Sequence, residues 1–296
     1  MLNKIKGKKI GRYGDWCLAW CLAFTISAAC AQTFDATPRT IPQGQTLHVK
    51  GTAKAANARL NGRIIRLFPQ ADGGWLGLMP IPAMETPGEY KLELLDASGA
   101  VLEARPITVV DALFPSQNIV LSKALSELKA TPDEVEITSA FRKEVIDTRY
   151  WAEPLMAPVP GCMTSLFGVR RLHNGKPTGD YHGGLDLRAA AGQPIRAAAA
   201  GVVKIARQLS LHGGTVGIDH GQGLESMYLH MSKIAATEGA TVQKGDVIGY
   251  AGSTGRSTGP HLHWALYVNG VPVNPLQWVQ VKACPAGGKA VRKGKR

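Results

Sequence analysis

Two histidines stand two residues apart in Gly259-Pro260-His261-Leu262-His263-Trp264, a short run that reads as a strand. Alternate residues of a strand share a face, so both imidazoles point to the same side. Imidazole is the commonest metal-ligating side chain and titrates near neutral pH, so the pair suits a metal site or a metal ligand beside a base. By itself it suits a solvated strand face equally well. A second stretch, Tyr181-His182-Gly183-Gly184-Leu185-Asp186-Leu187, places an imidazole and a carboxylate four residues apart. Consecutive glycines argue against a helix and leave the backbone free to turn, so that His182 and Asp186 converge. With one histidine of the His-Leu-His run they supply two nitrogens and one oxygen. That is the donor set of a catalytic zinc whose fourth position takes a water and lowers its pKa to about 7.

Seven of the eight histidines lie between His173 and His263, within a region rich in glycine and short β-branched runs such as Gly201-Val202-Val203, Thr215-Val216-Gly217-Ile218 and Val247-Ile248-Gly249-Tyr250. This pattern leaves almost no room for a long helix and predicts an all-β domain over residues 161–281. Before it, residues 33–111 read as several short strands. Asn61-Gly62 marks a hairpin, Glu89 to Leu94 alternates polar with apolar, and Asp96-Ala97-Ser98-Gly99 marks a turn. The expected fold there is a β-sandwich of immunoglobulin-like type, a spacer or binding module, in which His48 is a solvated or packed strand residue. Residues 112–160 are expected to form a helical connector. Thr131-Pro132-Asp133-Glu134 has the form of a helix start, with Thr131 as N-cap and Glu134 reaching back as in a capping box, and Ile137, Phe141 and Val145 form an apolar stripe. The expected fold class is thus mainly β: an amino-terminal β-sandwich, a helical connector and an antiparallel, barrel-sandwich-like domain.

The first residues differ from the rest. Lys4, Lys6, Lys8, Lys9 and Arg12 precede the apolar run Trp16 to Ala29, which is too short to span a bilayer comfortably. Residues 1–31 read as a secretory signal peptide, with Ala29-Cys30-Ala31 before the cleavage point, and the mature chain is expected in the periplasm or outside the cell. Acylation of Cys30 is the competing reading, although Ser27 stands where lipoprotein signals usually carry leucine. Cleavage removes five basic residues and Asp15, so the formal net charge falls from +12 to +8. Much of the remaining excess lies in the basic tail, residues 282–296. For an exported chain this points to an anionic cell-wall polymer or membrane surface and not to nucleic acid, with a solvated tail as the alternative. Cys17, Cys21 and Cys30 leave with the signal, and Cys162 and Cys284, which flank the catalytic region, are expected to form one disulfide.

The spacing of His182-x-x-x-Asp186, Tyr228-Leu229-His230 and His261-Leu262-His263 resembles the M23 family of zinc metalloendopeptidases, the lysostaphin-type enzymes that cut peptide bonds in peptidoglycan. Ser165-Leu166-Phe167-Gly168-Val169-Arg170, Ala199-Ala200-Gly201-Val202-Val203, Val242 to Gly249 and Gly252-Ser253-Thr254-Gly255 extend the similarity over roughly residues 162–279. The resemblance implies one zinc ion held by His182, Asp186 and His263, with His230 and His261 as catalytic histidines beside it. No glutamate stands in an H-E-x-x-H arrangement, so a histidine must do the work of the base. His173, His212 and His220 match no ligand position and read as surface residues or as residues packed just behind the ligands. The implied function is zinc-dependent hydrolysis of peptidoglycan crosslinks, with D-Ala-to-diaminopimelate bonds preferred over a glycine bridge. A catalytically silent wall-binding scaffold or amidase activator is the alternative, because some relatives keep the fold and lose ligands. A lipoyl- or biotinyl-type carrier is disfavoured, since no lysine sits at a suitable hairpin tip.

Overall fold

The structure is a computed structural model that describes residues 34–52 and 54–285. The signal segment with Cys30, and the basic tail beyond Pro285, lie outside the described residues. Among the described residues no helix is long and apolar enough to cross a membrane.

Residues 34–110 form two sheets. Phe34–Thr37, Thr46–Gly51, Trp75–Pro80 and Phe68–Pro69 make the first; Thr40–Pro42, Val101–Val110, Gly88–Leu95, Asn57–Leu60 and Arg63–Arg66 make the second. Alternation places Leu47, Val49 and Met79 of the first sheet with Ala58, Leu60, Leu92, Leu94, Ile107 and Val109 of the second in one buried cluster. The Asn61-Gly62 hairpin forms as expected, both residues at positive φ (47° and 75°), between the paired residues Leu60 and Arg63. The Asp96 turn forms too, its carboxylate accepting from Ser98 and Ala100 N–H.

The connector is less helical than expected. Helix is confined to Lys123–Glu127 and Pro132–Phe141, and Ser116–Ile119 is a strand that pairs in parallel with Arg170–His173. Thr131 Oγ1 accepts from Glu134 N–H at 3.3 Å, so the N-cap forms. The reciprocal half of the capping box does not, because the Glu134 carboxylate is turned away to another partner. The helix closes at Arg142, whose N–H and Nε both bond back to Thr138 O, and Val145 falls past its end.

The sheet that carries the site has eight strands. Met163–Ser165, Leu185–Leu187, Leu262–Val268, Leu224–Met231, Gly213–Gly221, Gly201–Leu209 and Thr241–Val242 lie side by side in that order, and Val271–Val273 pairs with Leu262–Val268. Period-two alternation gives this sheet two distinct faces. Leu262, Trp264, Leu266 and Val268 enter the main core with Leu185, Leu187, Val216, Ile218 and Tyr228. His263, Ala265 and Tyr267 point the other way. On that front face Ile205, Met227, Leu229 and Ala265 pack with Phe141 and Ile137, so the helix Pro132–Phe141 covers the sheet beside the histidines.

The amino-terminal sheets dock firmly on this unit. Leu78 and Ala83 are buried within its core. Thr46 and Gln277 exchange two hydrogen bonds of 2.7 Å, and Asn269 Nδ2 donates to Leu78 O at 2.7 Å. Cys162 and Cys284 form the expected disulfide, with Cα atoms 4.9 Å apart.

Candidate functional site

Asp186 and His263 are direct cross-strand partners, so their side chains leave the sheet from the same face. His261 precedes His263 by two residues and shares that face, as the sequence alternation predicts. His182 reaches the same point from the loop before the strand Leu185–Leu187, fixed by the reciprocal bonds His182 N–H to Val169 O and Gly168 N–H to His182 O, each 2.8 Å. Gly184 makes the close approach possible. A Cβ there would lie 2.5 Å from Trp264 O and 2.8 Å from His263 Nε2.

His230 arrives differently. Leu229 pairs with His263, so regular alternation would send His230 to the opposite, core-facing side. A bulge in the pairing with Gly213–Gly221, together with a left-handed φ of 62° at His230, turns its ring back to the front face. Its N–H bonds to His212 O at 3.0 Å and its Nδ1–H to Thr254 O at 2.8 Å. The His230 and His261 rings lie 4.9 Å apart between centroids, and the His230 and His263 rings 6.1 Å.

Three atoms converge at the centre. His182 Nε2 is 2.9 Å from Asp186 Oδ1 and 2.9 Å from His263 Nδ1, and His263 Nδ1 is 3.0 Å from Asp186 Oδ1. The His182 Nδ1–H donates to Leu166 O at 2.7 Å, so in the neutral ring Nε2 presents a lone pair. A lone pair and a carboxylate oxygen at that separation repel each other unless a cation lies between them. Bond lengths of about 2.0 to 2.2 Å to a tetrahedral zinc imply ligand atoms about 3.3 to 3.6 Å apart, a few tenths of an ångström wider than the spacing found. The residues therefore fit a metal ion, and among the described residues His182, Asp186 and His263 are a group able to hold one.

The electrostatics agree. Burial would raise the Asp186 carboxyl, but the imidazoles of His182 and His263 beside it hold it well below the usual carboxylate range. Burial pushes His263 down to about 4. Burial, with the His263 and His261 rings nearby, takes His230 down to about 3. These two rings are thus held neutral, the state in which an imidazole ligates or takes a proton.

The centre opens on a groove of about 370 Å³, lined among others by Ile119, Arg171, Asp180, Tyr181, Leu229 and Arg256. Arg171 Nη2 lies 3.5 Å from Asp186 Oδ2. Of the histidines set aside from sequence, His173 and His212 also line this groove. His220 is not a surface residue: it is fully buried, with Nδ1 bonded to Ala200 O and Nε2 2.7 Å from Ser226 Oγ. His48, in the amino-terminal sheets, packs its ring against Trp278 and lies 3.6 Å from Glu153.

Comparison with known proteins places this geometry. Residues 180–275 match the model of peptidase family M23. The chain is 45% identical over 114 residues to the DD-carboxypeptidase/endopeptidase Mpg of Neisseria meningitidis serogroup B, a match covering 38% of this chain and 26% of that protein. It is 41% identical over 115 residues to the peptidoglycan DD-endopeptidase ShyA of Vibrio cholerae serotype O1, covering 39% of this chain and 27% of that one. The chain thus spans about a quarter of the length of these curated relatives. A crystal structure from Pseudomonas aeruginosa described as a peptidase M23 is 29% identical and superposes with a TM-score of 0.61, covering 80% of this chain and 93% of that one. All five residues gathered at the centre lie inside the matched segment, and residues 180–275 of this chain are a peptidase family M23 domain.

Proposed function

We infer that the protein is a zinc-dependent endopeptidase that hydrolyses peptide crosslinks of bacterial peptidoglycan, with D-Ala-to-diaminopimelate bonds as the preferred target. The observation that carries the reading is the convergence of His182 Nε2, Asp186 Oδ1 and His263 Nδ1 within 3.0 Å of one another, with two further imidazoles beside them. One zinc ion would be held by these three atoms. When bound, it supplies Lewis-acid polarisation of the scissile carbonyl and a water of lowered pKa. The names of the relatives, a DD-carboxypeptidase/endopeptidase and a peptidoglycan DD-endopeptidase, support the substrate class.

The chain's own residues supply the proton handling. His230 gives its Nδ1–H to Thr254 O and His261 gives its Nδ1–H to Gly259 O, each at 2.8 Å. In the neutral form of either ring the lone pair then lies at Nε2. The His261 Nε2 lies 3.7 Å from Asp186 Oδ1, within reach of a nucleophile at the centre. A histidine that takes the proton of the attacking water can return it to the departing amine, and the other can donate to the carbonyl oxygen as charge builds there. The complete donor set favours this reading over a silent scaffold. The chain reaches peptidoglycan as an exported protein, and its basic tail suits an anionic wall or membrane surface.

The test compares three variants. Asp186→Ala is expected to lose zinc and hydrolysis together. His230→Ala and His261→Ala are expected to keep zinc while turnover falls by roughly 10²-fold or more. Full zinc occupancy in the first, or near-normal turnover in both others, would overturn the assignment.

A further inference from the structure

Glu134 sits in the first turn of the helix Pro132–Phe141, outside the segment that matches the M23 family. It is buried, at 1% exposure. Its carboxylate accepts the backbone N–H of Leu211 at 2.9 Å, the backbone N–H of His212 at 3.0 Å, and the His212 ring at Nδ1. Burial would raise this carboxyl, but the N–H groups of Leu211 and His212 and the His212 ring together hold it below the usual carboxylate range. The anchored loop touches the catalytic histidine directly. His212 O accepts His230 N–H at 3.0 Å, and Leu211 O accepts Arg256 N–H at 2.9 Å.

A carboxylate only accepts hydrogen bonds, so the His212 proton must sit on Nδ1. That leaves Nε2, on the opposite edge of the ring, as the nitrogen free to bond elsewhere. His212 lines the groove beside His230, and its side chain is 28% exposed. A bound peptide offers backbone N–H and C=O groups to such a groove. We propose that His212, its ring held through Nδ1 by Glu134 of the connector helix, is a substrate-positioning residue whose Nε2 hydrogen-bonds the backbone of the bound peptide. The inference rests on the peptidase reading of the site. It makes the helix Pro132–Phe141 a working part of the groove and not only a link between two β-units.

His212→Ala isolates the imidazole, because Glu134 keeps both backbone N–H groups and the loop stays anchored. The kinetics of the full chain on a soluble crosslinked stem-peptide dimer are measured together with zinc content and Tm. His212→Ala is expected to raise KM about five- to tenfold, the scale of one hydrogen bond, with kcat within about twofold and zinc and Tm unchanged. His212→Gln, which returns a hydrogen-bonding group near the Nε2 position, is expected to recover part of the loss. Glu134→Gln, which removes the charge that holds the ring through Nδ1, is expected to raise KM in the same direction. An unchanged KM in His212→Ala overturns the proposal, as does a loss that follows Tm or zinc, which would mark a purely structural residue. Binding of the same dimer with its scissile amide reduced to an amine separates this inference from the peptidase reading. If wild type binds the analogue but cuts no dimer, the peptidase reading fails. A five- to tenfold weaker Kd in His212→Ala then still supports the positioning role, and an equal Kd refutes it.

Discussion

Gly184→Ala adds one methyl group behind His263, the proposed metal ligand, and the structure says what that methyl meets. The new Cβ would lie 2.5 Å from Trp264 O and 2.8 Å from His263 Nε2. Favourable contact needs about 3.5 Å, so the strand Leu262–Val268, the His263 ring or the glycine segment must retreat by about 0.7 to 1 Å. Trp264 is fully buried and the strand lies between two neighbours, so the strand itself resists. The ring and the loop between His182 and Asp186 take up the shift. Metal ligands tolerate about 0.2 Å, so the displacement exceeds what the site can absorb several-fold. The expected result is a loss of zinc affinity of about 10- to 100-fold, comparable to removing a supporting contact of a metal ligand. The fold itself should lose only about 1 to 3 kcal/mol. Competition with a fluorescent chelator measures the affinity, and thermal unfolding of the metal-free protein measures the fold. Wild-type zinc affinity in Gly184→Ala would refute the claim that this glycine exists to let His263 reach the other ligands.

Replacing both Cys162 and Cys284 by serine opens a loop whose ends are 122 positions apart, for which chain entropy alone gives about 5 kcal/mol; a clear fall in Tm with zinc content unchanged is expected, and an unchanged Tm would show that the bond does not constrain the unfolded chain. Glu225 is fully buried, and its carboxyl is pushed well above the usual range by burial and by the charge of Asp219, its cross-strand partner, which burial itself raises to about 6. Carboxyls whose folded pKa exceeds the unfolded value contribute stability fully below the unfolded pKa of about 4, and that contribution is lost as pH rises through the folded pKa. Glu225→Gln is therefore expected to raise Tm at about pH 7 to 8 and to change it little near about pH 4; the opposite pH dependence would mean the carboxylate is stabilised where it lies.

The parts of the site that follow from local spacing were legible in the sequence. Period-two alternation put His261 and His263 on one face, and Gly183-Gly184 announced the turn that brings His182 to Asp186. The Asn61-Gly62 hairpin was read from the same kind of signal, whereas the Cys162–Cys284 pairing was read from the count of two cysteines left after the signal and from their places at the two ends of the domain. What was hidden depends on contacts distant in the chain or on a local break in regularity. Alternation would send the His230 ring into the core, and only the bulge and the positive φ after Leu229 reverse it. Glu134 has the spacing of a capping-box residue, yet three N–H donors from residues 211 and 212 claim its carboxylate, and no pattern within a short window reports a partner 78 residues away. His212 was set aside for the same reason. The place of His220 was not legible because its two nitrogens are satisfied in the core by Ala200 O and Ser226 Oγ, 20 and 6 residues away in the chain. The apolar stripe drawn through Val145 assumed a helix longer than the one that Arg142 closes.

The most direct measurement incubates the zinc-loaded chain, from Gln32 onward, with purified sacculi and identifies the released muropeptides by mass. Crosslinked dimers are expected to be converted to uncrosslinked stem peptides by addition of one water across the D-Ala-to-diaminopimelate bond, and the conversion is expected to stop with a chelator or with Asp186→Ala. Crosslinked dimers that persist unchanged in the presence of zinc-loaded wild-type protein would contradict the peptidase reading.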